Sequence, residues 1–430
     1  MRLSSSTARS FRVKRIGIIV SSPWTIKWFL MDQIEALSRS YEVCVILNIE
    51  RGDALPELNG KVEVIAVPIV RNISVLRDLQ AVLVLVALFF RKRFDAVHSV
   101  TPKAGLIVAI SGAIARIPVR VHTFTGQVWV TRKGLARRVL KAVDKALARM
   151  TTHVLVDSPS QRDFLLREGV VSEKKSRVLA SGSISGVDTI RFRPDAELRR
   201  RIRQLEGIPE DGLVFLYVGR LKVDKGVLDL AQAFSRVGEY CGKAWLLIVG
   251  PDEEGLRPHM ESVCSAVGGR LRFVGYTDAP QEYMAAADVL CLPSYREGFG
   301  SVIIEAASVG IPAVASNIYG IIDAIEPSAV EYLHEPGDID ALQARMKQMI
   351  DDPELRAALG KKARERAHRL FAKSLVTSTL VGFYDSVVGS GAELAGPLPC
   401  TREKCEGIGA VDGRDRTPRN GPHLGSSSKR

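Results

Sequence analysis

Arg15-Ile16-Gly17-Ile18-Ile19-Val20, followed by Met31 to Ser38 and then by Glu42-Val43-Cys44-Val45-Ile46-Leu47, reads as strand, helix, strand. Both apolar runs are short and rich in β-branched residues, which favours strands over buried helices. Strands apolar on both faces belong to a parallel sheet covered by helices on both sides. The alternation continues outward through Val62-Glu63-Val64-Ile65-Ala66-Val67, a helix over 76–90, Ala96-Val97-His98, a helix over 104–115, Val119-Arg120-Val121-His122, a helix over 135–150 and His153-Val154-Leu155-Val156. Between Gly186 and Pro194 a mixed polar stretch interrupts it. It then begins again, with strands predicted at 214–218, 244–249, 271–274, 289–292 and 313–315 and helices at 227–237, 258–266, 279–286 and 302–309. Two tandem doubly wound α/β domains follow, and such sheets bind ligands at the carboxyl ends of their strands. A helix over 339–351, a charged segment 353–371 and a closing helix 373–388 complete the ordered chain.

The length of 430 residues calls for two to three cores, and 46% hydrophobic with 25% charged residues is an ordinary globular composition. The charge is unevenly placed. Residues 1–195 carry 31 Lys and Arg against 16 Asp and Glu, a net of +15 that leaves −3 for the remainder of a chain totalling +12. An anionic partner is expected for that half: nucleic acid, an anionic membrane surface or a phosphorylated lipid. Nucleic-acid binding would interleave aromatics among the basic residues or show a reading motif, and neither is visible.

Cys44, Cys241, Cys264, Cys291, Cys400 and Cys405 show no metal-ligand or disulfide spacing, and the first, second and fourth read as core filler. No apolar segment of signal-peptide type follows the basic opening, so a reducing cytoplasm is the expected compartment. The run Leu79 to Phe90 is almost wholly apolar and ends in Arg91-Lys92-Arg93, but falls short of the ~20 residues that span a bilayer. It reads as a helix buried between sheet and surface, with an interfacial helix touching headgroups as the rival. From Gly389 on, Gly, Ser, Pro, Arg and Asp dominate, and a disordered tail is expected over 389–430.

Several residue groups suggest chemistry. Glu297-Gly298-Phe299-Gly300 leads into a helix-compatible stretch opening at Ser301 and containing Glu305. A Gly-rich turn lets backbone N–H groups approach a ligand, a helix N-terminus favours anionic oxygens, and carboxylates suit sugar hydroxyls. Arg220 and Lys225 follow a strong strand within one loop, where a guanidinium fork and an ammonium can grip two phosphates. His122 ends a strand and is expected to face the ligand cleft. Residues 132–149 interleave Arg132, Lys133, Arg137, Arg138, Lys141, Lys145 and Arg149 with Val139, Leu140, Val143 and Leu147, an amphipathic basic helix suited to a membrane surface.

The stretch from Glu297 to Glu305, preceded by Leu292-Pro293-Ser294 and followed by Gly310-Ile311-Pro312, resembles the two-glutamate signature of the retaining family-4 glycosyltransferases. Val218-Gly219-Arg220-Leu221 with Lys225-Gly226, Ile248-Val249-Gly250-Pro251, Phe273-Val274-Gly275 and Ala287-Asp288-Val289 agree with it in order and spacing. The segments 122–127 and 180–188 are similar to the branch that builds capsular, O-antigen and exopolysaccharide repeat units. The resemblance covers roughly residues 13–388.

It implies a GT-B fold: Rossmann-like domains over 1–190 for the acceptor and 191–371 for the nucleotide sugar, a cleft between them, and a helix over 372–388 crossing back to the first. It further implies that Arg220 and Lys225 hold the donor diphosphate, Glu305 the ribose, Glu297 the sugar hydroxyls, and that Gly219, Gly298, Phe299 and Gly300 present backbone to the donor. Phe273, Gly275 and Tyr276 would position the base, although Tyr276 reads equally as a packed surface ring. His122 would contact the transferred sugar. Transfer would proceed by front-face attack, the donor phosphate taking the acceptor proton, with no cofactor and no metal.

One departure concerns Ser21-Ser22-Pro23-Trp24-Thr25, where many relatives carry glycines; Pro23 lacks an N–H donor, so Trp24 is expected on the acceptor side. The combined reading is a cytoplasmic hexosyltransferase, peripheral on the inner face of the membrane. It would move an N-acetylhexosamine from a UDP donor to a polyprenyl-diphosphate-linked saccharide. A GT-B sugar-nucleotide epimerase and a non-catalytic sugar-nucleotide-binding scaffold are the alternatives.

Overall fold

The computed structural model describes residues 12–49, 58, 60–69 and 74–389. The chain divides into two compact units, one running to Gly186 and resuming at Ser374, the other spanning Val187–Lys373. In the first, strands β1 (Arg15–Val20), β2 (Glu42–Leu47), β3 (Glu63–Ala66), β4 (Ala96–Ser99), β5 (Val119–Phe124), β6 (His153–Val156) and β7 (Ser176–Arg177) lie in the order β3-β2-β1-β4-β5-β6-β7. All of the pairings are parallel. Ile16, Ile18, Ile19 and Val20 are buried, as a strand sandwiched between two helical layers requires. The order reverses between β1 and β4.

The second unit holds β8 (Leu213–Val218), β9 (Ala244–Val249), β10 (Leu271–Gly275), β11 (Val289–Leu292) and β12 (Ala313–Ala315), ordered β10-β9-β8-β11-β12 and again parallel. Here the reversal falls between β8 and β11. At such a switch point adjacent connections leave in opposite directions and open a crevice at the strands' carboxyl ends. The predicted strands are thus present. Several polar helices between them carry their own caps: the Asp195 carboxylate accepts from the N–H groups of Glu197 and Leu198, and Gly207 closes the same helix in the left-handed conformation.

The units part at Gly186 and Lys373 rather than at the expected 190 and 371, for a local reason. The Val187 N–H donates to the Phe371 carbonyl (2.7 Å), the Lys373 N–H to the Val187 carbonyl (2.9 Å), and Lys373 Nζ lies 2.8 Å from Asp188 Oδ2. These contacts keep 187–188 with the second unit. The helix Lys373–Tyr384 then adds Leu380, Phe383 and Tyr384 to the core of the first unit, beside Ile34, Val45 and Leu155. The Tyr384 hydroxyl lies 2.8 Å from His98 Nδ1, and the Tyr41 hydroxyl donates to Asp385 (2.5 Å).

One expectation is overturned. The helix Val75–Lys92 buries Ala81, Leu85, Leu88 and Phe89, but Leu76, Leu79, Leu83 and Phe90 are 82%, 56%, 62% and 60% exposed. A helix lying on a layer can turn only one stripe inward. The apolar run is apolar all round, so its second stripe faces solvent. The basic opening, the tail beyond Gly389, Cys400 and Cys405 lie outside the described residues. Of the cysteines expected as filler, Cys44 and Cys291 are buried but Cys241 is only half-buried, while Cys264, not among them, is buried.

Candidate active site

The loops that follow β8 and β11 meet at the switch point of the second unit. Gly226 makes this possible. It sits at φ 67°, and a Cβ there would lie 2.0 Å from the Pro293 carbonyl oxygen, so only glycine lets the loop after β8 press against the loop after β11. The contact delivers Lys225 to the second loop. Its Nζ lies 2.7 Å from Glu297 Oε1, which also accepts from the Ser294 hydroxyl at 2.9 Å. Both charged side chains are about one-sixth exposed, at 16% and 17%. Around them Arg296 pairs with Asp224 (2.9 Å) and the Tyr295 hydroxyl donates to Asp229 (2.6 Å). Ser294, Tyr295, Arg296, Asp224 and Asp229 thus brace the site. Nothing in their spacing marked the last four, since each depends on a partner more than sixty residues away.

Arg220 turns elsewhere: its guanidinium lies 3.2 Å from Glu253 in the loop after β9, while Lys222 reaches Glu253 and Glu254. Its carbonyl accepts from the Tyr217 hydroxyl at 2.8 Å, which fixes the turn at Gly219. Arg220 and Lys225 therefore leave one loop toward different carboxylates.

Beyond Glu297, the Phe299 ring is buried 5.3 Å from the Phe371 ring, which anchors the turn in the core. Gly298, Phe299 and Gly300 are buried in the turn ahead of the helix Ser301–Val309, packed against Gly320, and among the described residues their N–H groups donate to no backbone carbonyl. Glu305 lies in the second turn of that helix and keeps partial exposure. Burial pushes its carboxyl up to about 7, with Arg191 opposing the shift, and it accepts no hydrogen bond from a described residue. A half-open carboxyl of this kind is suited to ligand hydroxyl donors.

Phe273, Gly275 and Tyr276 belong to the edge strand β10 and the turn after it, separated from β11 by β9 and β8. Arg257 lies 4.9 Å over the Phe273 ring, the Gly275 carbonyl accepts from Gly250, and Tyr276 is 49% exposed with its hydroxyl on Asp278.

In the first unit His122 departs from expectation. Its side chain is fully buried rather than presented at the sheet's carboxyl edge. Nδ1 lies 2.9 Å from the Ser99 hydroxyl, the ring packs edge-on to Phe124 (4.7 Å), and a Cβ on Gly105 would clash with it. Residue alternation along β5 points it into the helical layer. Burial lowers its basicity to about 3, so it is neutral there.

Trp24 is 47% exposed just after β1, and the Lys27 ammonium sits over its ring and that of Trp28, at 5.4 and 5.7 Å. Neither Lys27 nor Trp28 was singled out in the sequence. The basic helix spans Gly134–Met150, leaving Arg132 exposed before it. Arg137 and Lys141 face Glu168 (3.2 and 2.5 Å) and cover the Trp129 ring, so these two cations are paired within their own unit. Arg138 is exposed and Lys145 half-buried. Among the described residues no three His, Cys, Asp or Glu side chains gather as a metal-binding group.

Two family models match the chain: residues 25–182 fit the glycosyl transferase 4-like domain, and residues 199–366 fit the glycosyl transferases group 1. The chain is 28% identical to the capsular polysaccharide biosynthesis glycosyltransferase CapM of Staphylococcus aureus, over 74% of this chain and 84% of the relative. It is also 28% identical to the UDP-Gal:alpha-D-GlcNAc-diphosphoundecaprenol alpha-1,3-galactosyltransferase of Escherichia coli, over 70% and 79%. Its fold is like that of Anabaena HepE, solved with UDP and glucose, with a TM-score of 0.72 at 19% identity, covering 87% of this chain and 100% of that one.

Proposed function

The chain belongs to the GT-B glycosyltransferases that pair a 4-like domain with a group 1 domain, and from that premise we propose that it transfers a hexosyl unit, an N-acetylhexosamine foremost, from a UDP-sugar to a polyprenyl-diphosphate-linked saccharide with retention of configuration. The observation that carries the reading is the Lys225–Glu297–Ser294 cluster at the β8/β11 switch point, set beside the glycine turn 298–300 and the half-buried Glu305. HepE was solved with UDP and glucose, which supports a UDP-sugar donor, and the Escherichia coli relative is named for a UDP-Gal donor and a GlcNAc-diphosphoundecaprenol acceptor, which supports a lipid-linked acceptor; neither names an N-acetylhexosamine as the transferred sugar.

In this reading Lys225 leaves Glu297 for the donor diphosphate while Glu297 takes up sugar hydroxyls. Adjacent strands are ~4.8 Å apart, so the three steps from β10 to β11 cover roughly 14 Å, a span suited to a base, ribose and diphosphate. Glu305 accepts from the ribose. The acceptor hydroxyl approaches the face from which the diphosphate leaves. The anomeric carbon–oxygen bond breaks, its electron pair stays on the diphosphate, a diphosphate oxygen takes the acceptor proton, and the new glycosidic bond forms on the same face. Lys225 and Arg220 stabilise the charge that develops on the leaving group. His122, sealed in the helical layer, has no part in this scheme. The enzyme works at the cytoplasmic face of the membrane, where a polyprenyl acceptor is held.

Incubation with radiolabelled sugar nucleotides and membrane-extracted lipid acceptor should label the lipid from one UDP-sugar, with the product's anomeric configuration matching the donor's by NMR. Conversion of the free sugar nucleotide to its epimer, without lipid labelling, would overturn the proposal.

A further inference from the structure

The outward stripe of the helix Val75–Lys92 has no role in the chemistry above and no cover among the described residues of its own unit. Leu76, Leu79, Leu83, Val84 and Phe90 are all exposed along it. From Leu76 to Phe90 the stripe runs about 21 Å at 1.5 Å per residue. Asp78, the one carboxylate of that helix, is held by Lys103 at 2.7 Å, so the helix itself offers no free anion to its exposed face. Cations stand at its two ends, with Arg77 exposed in the first turn and Arg91 and Arg93 exposed at the last. Lys92 is spoken for by Glu63, 2.5 Å away.

A continuous apolar surface on an exposed face marks an interaction site. Its charge pattern selects the occupant. Were a second copy of this chain to cover the stripe about a two-fold axis with the helices antiparallel, Arg77 would meet Arg91 and Arg93 of the second copy, and like charges would face each other. An anionic bilayer surface has no such conflict: headgroups accept the cations at both ends while the acyl boundary takes the leucines and the phenylalanine. Among the described residues no helix is long and apolar enough to cross a membrane, and this one lies along its own unit through Ala81, Leu85, Leu88 and Phe89.

We propose that the helix Val75–Lys92 is a monotopic membrane anchor whose outward stripe inserts into an anionic lipid surface, so that binding has an apolar component that salt does not remove. This deepens the proposed reading, since a lipid-linked acceptor resides at that surface. It assigns the apolar part of the contact to this helix, whereas in the basic helix Gly134–Met150 Arg137 and Lys141 are engaged by Glu168.

The test is flotation of the full chain with vesicles of phosphatidylcholine and phosphatidylglycerol, at low and at high salt, with no sugar nucleotide or acceptor present. The wild type should float at low salt and in part at high salt. The triple variant Leu79→Gln, Leu83→Gln, Phe90→Gln should lose at least about tenfold in partitioning at both, the factor expected from losing even one buried leucine side chain. Its melting temperature should not fall, because these side chains are exposed. Arg91→Gln with Arg93→Gln should remove only the salt-sensitive part. Floating of the triple variant like the wild type, or absence of wild-type binding, would overturn the proposal. A dimer that the triple variant converts to monomer in sedimentation velocity, with vesicle binding unchanged, would assign the stripe to a second copy instead. Because no substrate enters the assay, its result is independent of the transferase reading, which transfer to a water-soluble acceptor tests separately.

Discussion

Lys225 and Glu297 satisfy each other across 2.7 Å, which keeps two largely buried charges from standing alone and leaves both poised for a ligand that offers phosphate to one and hydroxyls to the other. Replacing Lys225 by Ala should remove a charge-assisted contact of roughly 1.5–3 kcal/mol and lower kcat/KM by about 10- to 150-fold. Arg220, 45% exposed on Glu253, should on substitution by Ala weaken donor binding while leaving the melting temperature unchanged. Unchanged turnover in both variants would take them out of the site. Glu305 adds a pH dependence. Burial raises its carboxyl to about 7, and ribose hydroxyls donate to the ionised form. Affinity for a UDP-sugar, whose diester phosphates do not titrate in this range, should therefore rise between about pH 6 and about pH 8 and then level off. Calorimetric titration of Glu305→Gln should give a flat and weaker profile; a wild-type affinity that does not change over that window would refute the assignment.

Among the elements, the helix Lys373–Tyr384 illustrates how a segment distant in sequence completes a core. Leu380, Phe383 and Tyr384 fill the first unit, and the Tyr384 hydroxyl meets His98 in a fully buried contact. A chain ending before Lys373 should fail to fold its first unit, whereas one ending after Gly389 should melt as the full chain does. Tyr384→Phe should cost about 1–2 kcal/mol by leaving a ring nitrogen without its partner. Denaturant unfolding of the three proteins measures this. The helix Gly134–Met150 makes the opposite point: its cations, counted along the sequence, look like a membrane face. Because Arg137 and Lys141 clamp Glu168 and cover Trp129, changing both to Gln should lower the melting temperature and leave vesicle binding nearly unaltered. A loss of vesicle binding at unchanged stability would restore the membrane reading of that helix. The helix Ala196–Glu206 is obscured in the sequence because seven of its eleven residues are charged or polar, although Asp195 before it and Gly207 after it are cap signals.

For the molecule as a whole, neutralisation of the leaving diphosphate is assigned to Lys225 and Arg220, so transfer should survive chelator in metal-free buffer; activity lost on chelation and restored by Mg²⁺ or Mn²⁺ would move that role to a cation. The tandem α/β plan is legible in the sequence, because the alternation of short β-branched runs with helical periods is a local property that burial on both sheet faces imposes on composition. The motif around Glu297 and Glu305 was legible for a similar reason: a glycine turn, a helix start and their carboxylates are neighbours along the chain. Residues whose meaning depends on direction were not. His122 reads as a strand end, but β5 runs on to Phe124 and alternation along it turns the His122 side chain into the helical layer. Arg220 and Lys225 share a loop, yet Gly226 against Pro293 sends one to Glu297 while the other finds Glu253. The run Leu79 to Phe90 is apolar all round, and no periodicity tells which stripe is covered. Those outcomes belong to packing between segments far apart in the chain, where a side chain's partner is set by the path of the backbone and not by its neighbours in sequence.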